Sequence, residues 1–203
     1  MNREPTILGL KLPTKFYKNV STMSIETIDT RISDIRLELK ELSDNIEFKL
    51  IREFDFKSSI NEFEPMKYMG VYLVEIKTDK NKHSTFENWF AEFKDKWVIE
   101  RFKNKYVPNP KQKRIEKHLK KESLDEWIPM YIGKAMDIQK RLNEHLKNPI
   151  EKYSFSLKLN ERSELKNETF RFSTIKLNTV NFNWLAPEIE SLMREKYNPI
   201  LGK

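Results

Sequence analysis

Cysteine is absent from these 203 residues. That removes both a disulfide framework and a thiolate metal site, and leaves the fold to stand on packing. Histidine is scarce as well. Three residues, His83, His118 and His145, do not supply a structural zinc site, and His83 and His118, without partners at ligand spacing, read as surface groups. No segment approaches the roughly 20 consecutive apolar residues needed to span a bilayer. The N-terminal "MNREPTILGLKLPTKFYKNV" lacks the uninterrupted apolar stretch of a secretory signal. A soluble, cytoplasmic protein with no membrane partner is therefore expected. Internal repeats and low-complexity tracts are missing too.

What is present is a chain of one main domain's length. Its hydrophobic content of 38% includes 13 Phe, 7 Tyr and 4 Trp, enough aromatic residues for a core despite 34% charge. The formal net charge of +7 points to a polyanionic partner, because clustered Lys and Arg gain affinity by releasing phosphate counterions. The basic excess is concentrated. Between residues 101 and 121 lie Arg101, Lys103, Lys105, Lys111, Lys113, Arg114, Lys117, Lys120 and Lys121 against one acid, Glu116. Such a run reads either as a solvated face or as a DNA-binding surface.

Periodicity organises the rest. Residues 1–20 read as an irregular arm punctuated by Pro5 and Pro13. Ile25, Ile28, Ile32, Ile35, Leu39 and Leu42 recur at alternating steps of three and four, the stripe of a helix that packs on the domain's own core or forms a dimer seam. "EFKLIREFDFKSS" reads as strand or loop, and "GVYLVEIKT" (70–78) as a buried central strand. Residues 84–105 predict a helix opened by a Ser84/Glu87 capping box, with Phe86, Phe90, Phe93 and Trp97 along one side. "WIPMYIG" (127–133) and "TFRFSTIKL" (169–177) predict two more strands. Asp137 caps a helix running to about Lys147. "PEIESLMREKY" (187–197) predicts a last helix with proline in its first turn.

Several residues could do chemistry, and each has an ordinary structural reading beside the functional one. Arg141 and His145 stand four apart and project side by side from one helix, yet such a pair is usually solvated surface. Tyr72 and Tyr131 read by default as core tyrosines with the hydroxyl at the rim. Glu190 could simply favour the dipole of the last helix. Their order along the chain is more informative. Gly70-Val71-Tyr72 on one strand, Tyr131-Ile132-Gly133 on the next, Arg141 and His145 on the following helix, and Glu190 on a late helix resemble the GIY-YIG nuclease family. The likeness covers about a fifth of the chain, in residues 70–76, 131–146 and 185–201.

The resemblance implies an α+β fold: a small three-stranded, mainly antiparallel sheet flanked by helices. An N-terminal helical extension (1–65) would precede the nuclease domain (66–203), with a basic helical insertion (78–127) between its first two strands. It also implies a metal-dependent DNA endonuclease, most like a compact Type II restriction enzyme acting on double-stranded DNA. In that reading Tyr72 takes the proton of the attacking water and Glu190 is the single protein carboxylate on one Mg²⁺ or Mn²⁺ per site. Arg141 stabilises the pentacovalent phosphate, and Tyr131, Lys134 and His145 orient water, phosphate or the Tyr72 hydroxyl. Neighbouring cations, Arg141 and Lys134 with the metal, would lower the Tyr72 pKa.

Cutting both strands with one site per chain calls for two protomers or successive nicks, so a homodimer is expected. A non-catalytic DNA-binding protein on the same fold is the alternative, as is a mobile-element or repair nickase. Two features depart from the family's pattern. The asparagine shortly after the last helix's proline falls at about Gly202, with Asn198 the nearest substitute, and nearly 60 residues separate Tyr72 from Tyr131.

Overall fold

A computed structural model of the chain describes residues 24–55, 63 and 65–202; the arm at 1–20 lies outside them. The chain divides into two compact units, Met1–Glu41 and Leu42–Lys203. Helix α1 (Ile25–Asn45) occupies the described part of the first and ends a turn into the second. The stripe that the sequence assigns to a core is not buried: Ile25 is 82% exposed, and Ile28, Ile35 and Leu42 are exposed as well.

In the second unit, strands β1 (Lys49–Phe54), β2 (Gly70–Lys77), β4 (Trp127–Ala135) and β5 (Phe170–Lys176) form one antiparallel sheet in the order β1-β5-β2-β4. The sheet is thus four-stranded, where three strands were expected. Lys49–Phe54 shows no clean alternation, because as an edge strand it is held by its ladder to β5 and buries fully only Phe54. β2 carries a nearly continuous apolar run because both its neighbours and both its faces are covered.

Further helices of this unit accompany the sheet. α2 (Phe86–Trp97) begins one residue later than its expected cap, with the Thr85 hydroxyl accepting from Asn88 N. It stops at Trp97, well short of 105, and a 3₁₀ turn at Glu100–Phe102 follows. α3 (Gln112–Leu119) and α4 (Ile138–Lys147) come next, the latter capped by Asp137 accepting from Lys140 N at 2.8 Å. α5 (Phe182–Tyr197) starts five residues before Pro187 instead of at it. A proline this near a helix N-terminus frees only the Asn183 carbonyl from its usual partner, which an early turn tolerates.

Two apolar layers sandwich the sheet. One face collects Tyr72, Val74, Ile76, Ile128, Phe170 and Phe172 beneath α2 and α4. The other collects Val71, Leu73, Ile132 and Ile175 beneath Ile189 and Met193 of α5. The segment 78–127 is tied into the same compact unit. A two-residue strand, β3 (Asn109–Pro110), pairs with β6 (Leu201–Gly202). His118, read from sequence as a surface residue, is buried against Phe86 and donates from Nε2 to the Asn198 carbonyl at 2.8 Å. No helix of the described residues is long and apolar enough to cross a membrane.

Candidate active site

A bulge in β4 sets up the site. Tyr131 pairs with Val74 but Pro129 with Glu75, so Met130 is an extra residue. Residues three apart on a strand normally face opposite ways; the extra residue lets Ile128 and Tyr131 share the face of Tyr72. Gly133 lies directly opposite Tyr72, and the phenol crosses over it. A Cβ at Gly133 would sit 2.3 Å from the Tyr72 hydroxyl oxygen and 2.6 Å from Cζ. The glycine of the motif is therefore required by close approach.

From α4, His145 Nε2 lies 2.8 Å from that oxygen and Arg141 Nε donates to it at 3.1 Å. The tautomer of His145 follows from its other side. Leu157 N donates to Nδ1 at 3.0 Å, so Nδ1 is an acceptor and Nε2 carries the proton. The Tyr72 oxygen thus receives two N–H donors. Arg141 further donates to Glu144 at 2.6 Å and to the Phe155 carbonyl at 2.5 Å. At least three of its five N–H groups are used within the protein, and the Tyr131 hydroxyl is a further partner. Tyr131 sets its ring, tilted, near those of Tyr72 and His145, with centroids 6.2 and 5.3 Å away.

Lys134 and Glu190 belong to a second cluster. Lys134 pairs in the ladder with Val71, whose side chain belongs to the α5 face, and its ammonium meets the Glu190 carboxylate at 2.5 Å. Arg194, one turn on along α5, holds the other carboxylate oxygen and donates to the Ile132 carbonyl at 3.1 Å. The six residues expected around one point therefore form two groups on opposite faces of β4. Because β4 is the sheet's edge strand, the groups meet around that edge, and the Glu190 charge acts on both phenols. Lys134 orients Glu190, not the Tyr72 hydroxyl.

Electrostatics corrects one expectation. Burial pushes the Tyr72 pKa up, the Tyr131 phenol adds to the rise, and Arg141 opposes without reversing it. Burial raises Tyr131 likewise. Burial, with Arg141 beside it, holds His145 well below its ordinary 6.5, so the imidazole is neutral. Glu190 is buried with both oxygens taken by cations, and no group of three His, Cys, Asp or Glu able to hold a metal occurs among the described residues. This donor set does not make a resident metal cage. A cation that keeps most of its shell as water and takes one carboxylate would fit only by displacing one of these two ion pairs.

The basic run splits three ways. Arg101, Lys103 and Lys121 are paired with Glu164, Glu100 and Asp125. Arg114 is half-buried, donates to the Pro199 carbonyl, and lies within electrostatic reach of Arg194 and Glu190. Lys105, Lys111, Lys113, Lys117 and Lys120 form no ion pair among the described residues, and all but Lys111 are exposed. Asn198 is a left-handed helix cap with φ 50°, its amide turned back to the Lys196 carbonyl, so it does not extend into either cluster.

Three residues that matter here were not singled out in the sequence. Arg194 follows Glu190 by four, a helical spacing that could have found it. Glu144 braces Arg141 from three positions on. Arg162 has no such signal: fully buried, it lies 3.4 Å from the Trp97 ring centroid and 3.8 Å from that of Phe102, and donates to the carbonyls of Leu157 and Trp97. It fixes the loop whose Leu157 N–H sets the His145 tautomer. No family model matches the chain, and neither does any curated protein or solved structure.

Proposed function

We propose that this protein is a metal-dependent DNA endonuclease of GIY-YIG type that hydrolyses phosphodiester bonds, acting as a Type II restriction enzyme that cuts both strands of duplex DNA. The observation that carries the reading is the Tyr72 oxygen with two N–H donors aimed at it, from His145 Nε2 and Arg141 Nε. A core tyrosine needs one partner; two donors suit an oxygen that bears negative charge during a reaction.

In this reading Tyr72 first gives its phenolic proton to solvent, water then attacks phosphorus and passes its proton to the Tyr72 phenolate, and neutral His145 and charged Arg141 hold that oxygen in line. Arg141 would turn its remaining N–H capacity to the phosphate. Glu190 is the carboxylate that would take Mg²⁺ or Mn²⁺, displacing Lys134 or Arg194. The cation would neutralise charge on the phosphate and leaving oxygen. The unpaired lysines of α3 and the segment before it, held near Glu190 through Arg114, would track the DNA backbone.

A non-catalytic DNA-binding protein is the second reading, favoured by the ion pairs that occupy both oxygens of Glu190. Plasmid incubated with the protein and Mg²⁺ or Mn²⁺ separates the two. Discrete fragments, lost with EDTA and in Glu190→Ala, support the restriction enzyme. Nicked circles alone support a nickase. Intact but retarded plasmid supports the binder and refutes the nuclease.

A further inference from the structure

We propose that α1 is a self-association element, pairing antiparallel with α1 of a second copy of this chain. The inference stands on the helix alone and does not rest on the nuclease reading.

The alternating three- and four-residue steps from Ile25 to Leu42 are the a and d positions of three heptads, in a helix about 32 Å long. Four of the six side chains are exposed, and Ile32 and Leu39 are only partly covered. A continuous aliphatic row of this kind in water asks for a partner. The row is nearly its own complement. Run antiparallel, it sets Ile25 against the partner's Leu42, Ile28 against the partner's Leu39 and Ile32 against the partner's Ile35. Each layer then occurs twice about the dyad.

The flanking charges decide the direction. Asp29 and Arg36 border the seam on one side, Arg31 and Glu38 on the other. In the antiparallel register Asp29 faces the partner's Arg36 and Arg31 faces the partner's Glu38, so all four pairs about the dyad join opposite charges. A parallel pair would instead set Arg31 against the partner's Arg36, like against like. The rows thus meet with matched layers and matched charge in one orientation only.

Sedimentation of the full chain across micromolar concentrations should show a reversible dimer. Arg31→Glu tests the direction, because it sets a new carboxylate against the partner's Glu38 twice and should raise the dimer dissociation constant roughly tenfold or more. Adding Glu38→Arg should restore it. The parallel arrangement gives the reverse sign for Arg31→Glu, since the new carboxylate would then meet the partner's Arg36.

The cysteine-free chain allows a second readout. Ile28→Cys with Leu39→Cys should cross-link into a covalent dimer on oxidation. Ile28→Cys alone should not, its two sulfurs lying about 16 Å apart along the axis. A monomer at roughly 100 µM, tightening by Arg31→Glu, or cross-linking by Ile28→Cys alone each overturns the proposal. Circular dichroism of every variant verifies that α1 is still helical.

Discussion

Gly133→Ala tests the centre of the site with a single methyl group. The new Cβ would lie 2.3 Å from the Tyr72 hydroxyl oxygen, 2.6 Å from Cζ and 3.0 Å from Tyr131 Cε1. Ordinary carbon–oxygen contact needs about 3.4 Å or more, so the phenol must withdraw by about 1 Å or the ladder between β2 and β4 must open. Withdrawal stretches the 2.8 Å bond to His145 and the 3.1 Å bond to Arg141 past useful length. Overpacking a rigid core costs about 1–3 kcal/mol and each weakened hydrogen bond about 1 kcal/mol more. A loss of about 3–5 kcal/mol follows, or a Tm lowered by roughly 6–20 °C for a chain of this length.

In the nuclease reading the same displacement of the Tyr72 oxygen should lower DNA cleavage about a hundredfold. Gly70→Ala is the control. Its Cβ would meet the Ile175 carbonyl oxygen at 2.4 Å, a clash with β5 backbone that does not involve the phenol. It should cost stability while leaving the His145 imidazole N–H resonance, which reports the Tyr72 bond, unmoved. Gly133→Ala with unchanged Tm and an unchanged His145 resonance would refute the close-approach account. A normal Tm shift with full cleavage would remove Tyr72 from the reaction.

Other predictions concern protons and the loop behind the site. Since burial keeps the Tyr72 phenol protonated, cleavage should rise with pH by about tenfold per unit from pH 7 to 9; a plateau at neutral pH sinks Tyr72 as the base. His145 and His118 both titrate below 6.5 when folded and near 6.5 when unfolded, so the unfolded chain takes up more protons as pH falls. Stability should therefore be full above pH 7 and decline below about 6.5, by up to about 1.4 kcal/mol per pH unit for each histidine. A Tm constant from pH 7.5 to 5.5 contradicts this. Arg162→Ala leaves two carbonyls unpaired and a cavity between Trp97 and Phe102, which should cost about 3–5 kcal/mol in urea denaturation. Arg162→Met fills the volume without a buried charge and should cost less. A loss under about 1 kcal/mol for Arg162→Ala would show that the sandwich is incidental.

Sequence order led to Arg141 and His145 as a pair because a four-residue step on one helix is local geometry; Tyr72 came only from the order of the motifs, since its bonds to them join β2 to α4 across the whole segment between. Tyr131 and Gly133 alternate with Lys134, so strand period alone could have separated the lysine from the tyrosines and placed it with α5. Residues 49–54 read as strand or loop, but their place in the sheet and the path of the chain after Trp97 were not legible. β1 buries little of its own and depends on pairing with β5 more than a hundred residues away. α2 ends where its Trp97 indole turns to the Pro108 carbonyl and its ring meets Arg162. A buried arginine between two aromatic rings leaves no periodic trace, since its partners come from three separate segments.

In the nuclease reading the position of β4 lets a site split across two faces act on one substrate. An interior strand would keep Tyr72 and Glu190 apart behind two ladders, whereas the edge strand has a single ladder, to β2. Its outward carbonyls are held by Arg194 at Ile132 and by Ile200 N at Pro129, which ties the end of α5 to that edge. The small β3–β6 pair and the His118 bond to Asn198 bring the basic segment to the end of α5 near that edge. In the nuclease reading the phosphate would then be gripped from both faces, by Arg141 on one side and by a cation on Glu190 on the other.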